Sequence, residues 1–191
     1  MDDHWKGIPN LPNSIGEEKL IRVSNTVSLR VFIWEPVNQS SKVPILMVPG
    51  WGSVFEGWRP LVTEWVLDRK IIYVETREKS SAIFDKKMNQ KNFHIDNFTE
   101  DIRQIIQSLN LDKNYHLFSS SLGSTILIHG LQEKKISAKS SIFLAPNQSI
   151  RFPLWARLLI KLPLPKFTLK WLIKLAIWAV ERKVEEEGQK I

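Results

Sequence analysis

Four short apolar runs, each about the length of one strand, constrain the fold of this chain most. They lie at 44–48, 71–74, 115–118 and 141–145. The first, second and fourth runs lack the polar–apolar alternation of a strand with one solvent-exposed face. Each is therefore predicted to be covered on both faces. Segments with helical patterns separate the runs. This alternation predicts a mainly parallel sheet between two layers of helices, a three-layer αβα sandwich of the α/β class.

Two further patterns complete the predicted core. Apolar residues recur at helical spacing in two segments, and a third segment is also predicted to be a helix; the three are 58–67, 96–109 and 125–131. Nearer the N-terminus, polar and apolar residues alternate in 20–23 and again in 28–34, with Asn25 in a polar turn between them. The alternation predicts an antiparallel hairpin at one edge of the sheet, with one face in solvent.

A serine-rich segment between the strand at 115–118 and the helix at 125–131 carries the candidate chemistry. It contains Ser119, Ser121 and Gly123 in a Ser-x-Ser-x-Gly pattern. A nucleophile on a sharp strand-to-helix turn adopts a strained backbone conformation, and the residues two before and two after it must be small. Serines near a strand end are more often turn residues or helix caps, so the pattern alone is weak evidence.

The loop at 48–52 supplies the context for this serine. It follows an apolar strand, and Gly50 and Gly52 allow the backbone to turn and approach a substrate closely. In a serine acyl hydrolase one oxyanion N–H comes from the residue after the nucleophile, here Leu122. The other comes from this loop, where we assign Trp51. Together the two segments indicate a nucleophile with an oxyanion hole.

With these motifs the chain resembles the α/β-hydrolase superfamily, in its esterase, lipase and lysophospholipase-like branch. Residues 44–58 resemble the family's strand and His-Gly-type oxyanion loop, with Pro49 where a histidine is common. Residues 75–81 resemble its Asp-x-Arg-Gly-x-Gly-x-Ser stretch with both glycines replaced. Residues 118–123 resemble its Gly-x-Ser-x-Gly elbow. The resemblance covers roughly residues 18–146.

The resemblance implies hydrolysis of a carboxylic ester or related acyl bond in a small-molecule substrate. Ser121 would be the nucleophile, and no metal or organic cofactor is implied. The family also implies an acid and a histidine later in the chain, on strands that do not occur before Ile191. We therefore expect a truncated or split enzyme, a pseudoenzyme, or a chain completed by a partner, and we favour truncation.

The four histidines are the candidates for a substitute base. His94, in the loop before the 96–109 helix, is the best placed because a long loop can reach an active site. His4 lies in the N-terminal tail, His116 inside a strand and His129 two turns into a helix, so structural or exposed roles are expected for them. Asn147 occupies a position where some relatives carry the acid, and it has no charge. A non-catalytic binding or membrane-associated protein on the same scaffold therefore remains the alternative.

Residues 147–191 form a second predicted segment beyond a hydrolase core at 1–146. Leu, Ile and Trp are dense between 151 and 182 and interleave with basic residues, while Pro163 and Pro165 divide the stretch into two helices. One interpretation is an amphipathic cap over the acyl pocket. The other is a helix pair at a membrane surface, where aromatic rings and cations are favourable. The two interpretations are compatible.

The composition excludes several other classes of protein. The chain has no cysteine, which excludes disulfides and thiolate metal sites and fits a reducing cytoplasm. Its net charge is +7, but the basic residues are spread out and no zinc-finger, helix-turn-helix or RNP-like pattern occurs, so no specific nucleic-acid partner is predicted. No uncharged stretch is long enough for a transmembrane helix. We expect a cytoplasmic protein that associates peripherally with membranes through residues 151–182 and, if apolar surface is exposed, forms oligomers.

Overall fold

The computed structural model describes residues 7–38 and 40–147. A mixed sheet forms the centre of this part of the chain. Its seven strands are β1 (Ser14–Ser24), β2 (Val27–Pro36), β3 (Ile45–Val48), β4 (Ile71–Val74), β5 (Ile83–Phe84), β6 (His116–Ser120) and β7 (Ser140–Leu144). The helices are α1 (Arg59–Trp65), α2 (Ile95–Ser108) and α3 (Leu122–Gln132), with 3₁₀ turns at Phe55–Gly57 and Gln90–Phe93. The strand order is β1-β2-β4-β3-β6-β7, with β5 paired to β2. Strands β4, β3, β6 and β7 run parallel, and the pairs that involve β2 are antiparallel.

The sheet separates two apolar cores, which confirms the predicted three-layer architecture. Successive side chains of a strand point to opposite faces, so β3 contributes to both cores. Ile45 and Met47 pack in the core that contains Val62 of α1. Leu46 and Val48 pack in the other core, which contains the apolar residues of α2 and α3.

The N-terminal hairpin lies at the predicted edge of the sheet, but the prediction that it has one face in solvent is wrong for β2. Eight consecutive residues of this strand are buried. The reason is that β2 lies inside the sheet, between β1 and β4, and its side chains pack into both apolar cores. Its polar residue Arg30 is buried with Glu75, and the Arg30 Nε lies 2.7 Å from the Glu75 Oε2. A polar position in the alternating pattern of β2 therefore corresponds to a buried ion pair and not to a solvent-exposed face.

The last strand also departs from its prediction. The run at 141–145 is predicted to be buried on both faces, yet Ile142 is 55% exposed and Leu144 42%. Within the described residues β7 pairs only with β6, and it forms the edge of the sheet. Phe143, on the opposite face, packs against the core beside α2 and α3. The apolar run therefore reflects one covered face and one open face.

Apart from Asn147, the second predicted segment lies outside the described residues. The chain divides into two units, Met1–Gln148 and Ser149–Ile191. The predicted cap or membrane-surface helices at 151–182 belong to the second unit. Within 7–38 and 40–147, no helix is long and apolar enough to cross a membrane.

Candidate functional site

Ser121 occupies the sharp turn between β6 and α3. Its φ is 47° and its ψ is −116°, a conformation that L residues rarely adopt and that costs about 1–3 kcal/mol. Its N–H donates to the Leu144 carbonyl at 2.8 Å, and its own carbonyl accepts from the Thr125 N–H at 3.1 Å. These contacts to β7 and α3 hold the strained residue at the carboxyl end of the parallel strands.

Small residues flank Ser121 because the backbone of another strand passes close by. An ideal Cβ on Gly123 would lie 2.1 Å from the Val48 carbonyl oxygen, which leaves no space for a side chain. Ser119 is buried, and its hydroxyl lies 3.0 Å from the hydroxyl of Ser124. The elbow therefore packs directly on the end of β3, as the small-residue pattern predicts.

The loop after β3 makes a tight turn beside the elbow. The Ser53 N–H donates to the Gly50 carbonyl at 3.2 Å, and Gly52 has a φ of 72°, as the third residue of a type II turn requires. The Gly50 N–H donates to the Ser120 Oγ at 3.1 Å. An ideal Cβ on Gly50 would lie 3.0 Å from the Ser121 Cβ, so a side chain there would press on the serine.

Several backbone N–H groups at this junction have no acceptor among the described residues, and two of them are those assigned to the oxyanion hole from the sequence. One belongs to Trp51, the second residue of the turn, whose side chain is open to solvent. The other belongs to Leu122, the first residue of α3, where N–H groups lack an intrahelical partner and the helix dipole is positive. An oxyanion hole requires two such donors directed at one point.

Asn147 is the hydrogen-bond partner of Ser121. Its Nδ2 donates to the Ser121 Oγ at 3.0 Å. The Thr125 Oγ1 holds Asn147 in place, since it donates to the Asn147 carbonyl at 2.8 Å and accepts from its N–H at 3.2 Å. An amide N–H is a donor only, so this contact cannot take the proton of the serine. The sequence analysis placed Asn147 where some relatives carry the acid, but it did not predict this hydrogen bond.

The structure places His94 with an acid and not with Ser121. The His94 side chain is 68% exposed, and its Nδ1 lies 2.9 Å from Asp96 at the start of α2. The His129 Nε2 lies 2.8 Å from the same carboxylate, and this hydrogen bond is the main reason that the pKa of Asp96 is lowered. The His116 ring bonds to a serine of β7. Within the described range no histidine forms a hydrogen bond with Ser121, and no cluster of His, Asp or Glu could hold a metal.

A buried lysine lies against the loop after β3, and sequence reasoning missed it. The Lys79 Nζ donates to the Gly50 carbonyl at 2.8 Å and to the Ser53 carbonyl at 3.0 Å. It also lies 3.3 Å from Glu78 Oε1. The sequence signal was weak: Glu78 is a charged residue at a glycine position of the resembling stretch, and Lys79 follows it at a variable position.

Arg77 anchors the same segment from the other side. Its guanidinium bonds to both carboxylate oxygens of Asp101 on α2, at 2.7 and 2.5 Å. It also donates to the carbonyls of Asn92 and Asn97. The charged side chains of Arg77 and Asp101 are both buried. The segment after β4 is thus bound to α2 through Arg77 and to the loop after β3 through Lys79.

Comparison with known proteins finds similarity in structure only. No family profile and no curated protein sequence matches the chain. Potato (Solanum tuberosum) epoxide hydrolase I is similar over 73% of this chain and 43% of its own, at 14% identity and a TM-score of 0.57. A candidate lipase from Acinetobacter baumannii is similar over 74% and 46%, at 15% identity and a TM-score of 0.60. An alpha/beta hydrolase from Novosphingobium aromaticivorans is similar over 70% and 45%, at 13% identity and a TM-score of 0.57.

These similarities bear on the fold. The strand order, the elbow and the solved relatives agree that the chain has the α/β-hydrolase fold. The chain spans less than half the length of each of the three solved structures.

Proposed function

We propose that this α/β-hydrolase fold carries a serine acyl hydrolase site in which Ser121 attacks the carbonyl carbon of a carboxylic ester or related acyl substrate. The observation that carries the proposal is the backbone of Ser121, whose strained φ of 47° lies on the turn between β6 and α3. Strain of this kind persists where the surrounding structure enforces it. The free N–H groups of Leu122 and Trp51 would bind the oxyanion.

The proposed reaction defines what each group must do. The Ser121 Oγ forms a bond to the acyl carbon while its proton passes to a base, and the tetrahedral intermediate then expels the alcohol. Water subsequently releases the acid from the acyl-enzyme. The described histidines lie away from the serine, and Asn147 donates to it. The proton acceptor would therefore be water or a group outside the described residues.

Hydrolysis of a short-chain p-nitrophenyl ester tests the proposal. We expect the purified wild-type protein to hydrolyse the ester slowly and to be labelled by a fluorophosphonate probe. Both signals should disappear in Ser121→Ala. Ser137→Ala, in the loop after α3, is the control and should keep both signals. Equal rates in the wild-type protein and Ser121→Ala would reject the nucleophile.

A non-catalytic acyl-binding protein is the second candidate function. It is favoured by the hydrogen bond from the Asn147 amide to Ser121, because this bond occupies the serine oxygen without accepting its proton. The fold would then bind an acyl compound without cleaving it.

Asn147→Asp separates the two candidates. The carboxylate is nearly isosteric with the amide and would accept the Ser121 proton across the present 3.0 Å contact. We expect the rate of fluorophosphonate labelling to rise about tenfold, below the usual gain from a general base because an exposed carboxylate is a weak one. Asn147→Ala should produce no such rise. A site that stays unlabelled in Asn147→Asp would favour the binding protein.

The location and partners of the protein belong to the same proposal. We propose a cytoplasmic protein with a small-molecule acyl substrate, whose residues 151–182 form a cap that contacts a membrane surface. The interleaved Trp and Lys residues of that segment support the membrane contact. The exposed apolar side chains of β7 support association with another chain.

A further inference from the structure

We propose that Lys79 is the positioning residue of the oxyanion loop: by binding the Gly50 carbonyl, its ammonium fixes and polarises the N–H of Trp51. The inference rests on the proposed function, because it assumes that this N–H is an oxyanion donor. None of the roles proposed for Ser121, the two N–H groups and Asn147 explains why a lysine is buried against this loop.

The contacts of Lys79 span the loop from one end to the other. Its Nζ donates to the carbonyl of Gly50, the first residue of the turn, at 2.8 Å. It also donates to the carbonyl of Ser53, the last residue of the turn, at 3.0 Å. The Lys79 side chain is only 6% exposed, and Glu78 Oε1 lies 3.3 Å from its charge. A desolvated cation with fixed partners holds both ends of the turn in one arrangement.

The geometry of the peptide bond carries this constraint to Trp51. The carbonyl of Gly50 and the N–H of Trp51 belong to the same planar peptide group. No peptide bond in the described part of the chain is cis, so this carbonyl and this N–H point in opposite directions. A carbonyl held by Lys79 therefore directs the N–H away from the ammonium. Because the N–H has no acceptor among the described residues, it stays available to a ligand.

Without Lys79 the loop would be weakly held. The turn itself is closed by a single hydrogen bond of 3.2 Å, from the Ser53 N–H to the Gly50 carbonyl. Glycines at two of its four positions give the backbone many alternative conformations. Lys79 adds two stronger, charge-assisted bonds. Its charge also polarises the peptide group of Gly50, which strengthens Trp51 as a donor.

Three variants test the proposal. Lys79→Met keeps the length and apolar stem of the side chain and removes its donors. In Lys79→Met the carboxylate of Glu78 stays buried without its cation, which could prevent folding. The double variant Lys79→Met/Glu78→Gln removes this charge as well and is used if the single variant does not fold. Lys79→Arg retains charge and donors and should restore most of the effect. Lys70→Met is the matched control, since Lys70 forms an exposed ion pair with Glu35 far from the loop.

The first measurement does not depend on catalysis. We expect the NMR order parameters of the backbone N–H groups of Trp51, Gly52 and Ser53 to fall from about 0.85 to below about 0.6 in the Lys79→Met variants. They should stay unchanged in Lys70→Met. A loop that is equally rigid without the lysine would overturn the proposal, whatever the esterase assay shows.

The second measurement tests the link to the oxyanion. In the ester assay we expect kcat to fall about 10- to 100-fold in the Lys79→Met variants with KM nearly unchanged, because the donor acts on the transition state. Lys79→Arg should recover most of that loss. A rise in KM with unchanged kcat would overturn the role in oxyanion binding. If the wild-type protein does not exceed Ser121→Ala, the proposed function fails, and the order parameters alone decide the role of Lys79.

Discussion

Gly123→Ala is expected to destabilise the described core by about 3 kcal/mol or more, the upper end for overpacking. The added Cβ would lie 2.1 Å from the Val48 carbonyl oxygen and 2.7 Å from that of Pro49. Both obstacles are backbone atoms at the end of β3, so neither can rotate away as a side chain would. Relief requires α3 to move off the sheet, which would also displace Ser121. Urea unfolding followed by circular dichroism measures the change in the free energy of unfolding.

Gly57→Ala provides the control for this substitution. Gly57 lies in a 3₁₀ turn, and an added Cβ there would meet no atom within 4 Å. We expect a change of about 0.5 kcal/mol or less, as for other substitutions without contacts. If the two variants unfold at the same urea concentration, the close packing of the elbow on β3 is refuted.

Arg77→Met is expected to destabilise the protein by about 3–5 kcal/mol, the usual cost of removing one partner from a buried ion pair. The substitution leaves the Asp101 carboxylate buried without its cation. It also removes the donors to the carbonyls of Asn92 and Asn97. Burial already raises the pKa of Asp101, and loss of Arg77 removes the interaction that opposes this rise. Thermal and urea unfolding at neutral pH measure the loss.

Two further variants distinguish the charge from the packing. Arg77→Met combined with Asp101→Leu removes both charges and should recover a large part of the stability. Arg22→Met removes the cation of an exposed pair with Asp85, where we expect a loss of about 1 kcal/mol or less. An Arg77→Met protein as stable as Arg22→Met would show that the buried pair contributes little.

Much of the fold could be predicted from the sequence, because hydrophobic periodicity is a local property. The apolar runs at 44–48 and 71–74 are buried strands, and α2 lies within one residue of its predicted bounds at each end. The elbow pattern also identified the turn at Ser121, since the small flanking residues follow from the geometry of the turn itself. Helix α3 begins at Leu122, three residues earlier than predicted, because the turn leads directly into it.

Only the tertiary structure decided which polar groups meet. Strand order places β2 beside β4, which buries Arg30 with Glu75 where alternation alone predicted a wet face. It also places β4 beside β3, so that Lys79 reaches a carbonyl 29 residues earlier in the chain. The contact of Asn147 with Ser121 likewise joins groups 26 residues apart. A sequence pattern specifies the conformation of a segment, but hydrogen bonds between distant segments depend on the register and order of strands, which are settled by packing the whole core.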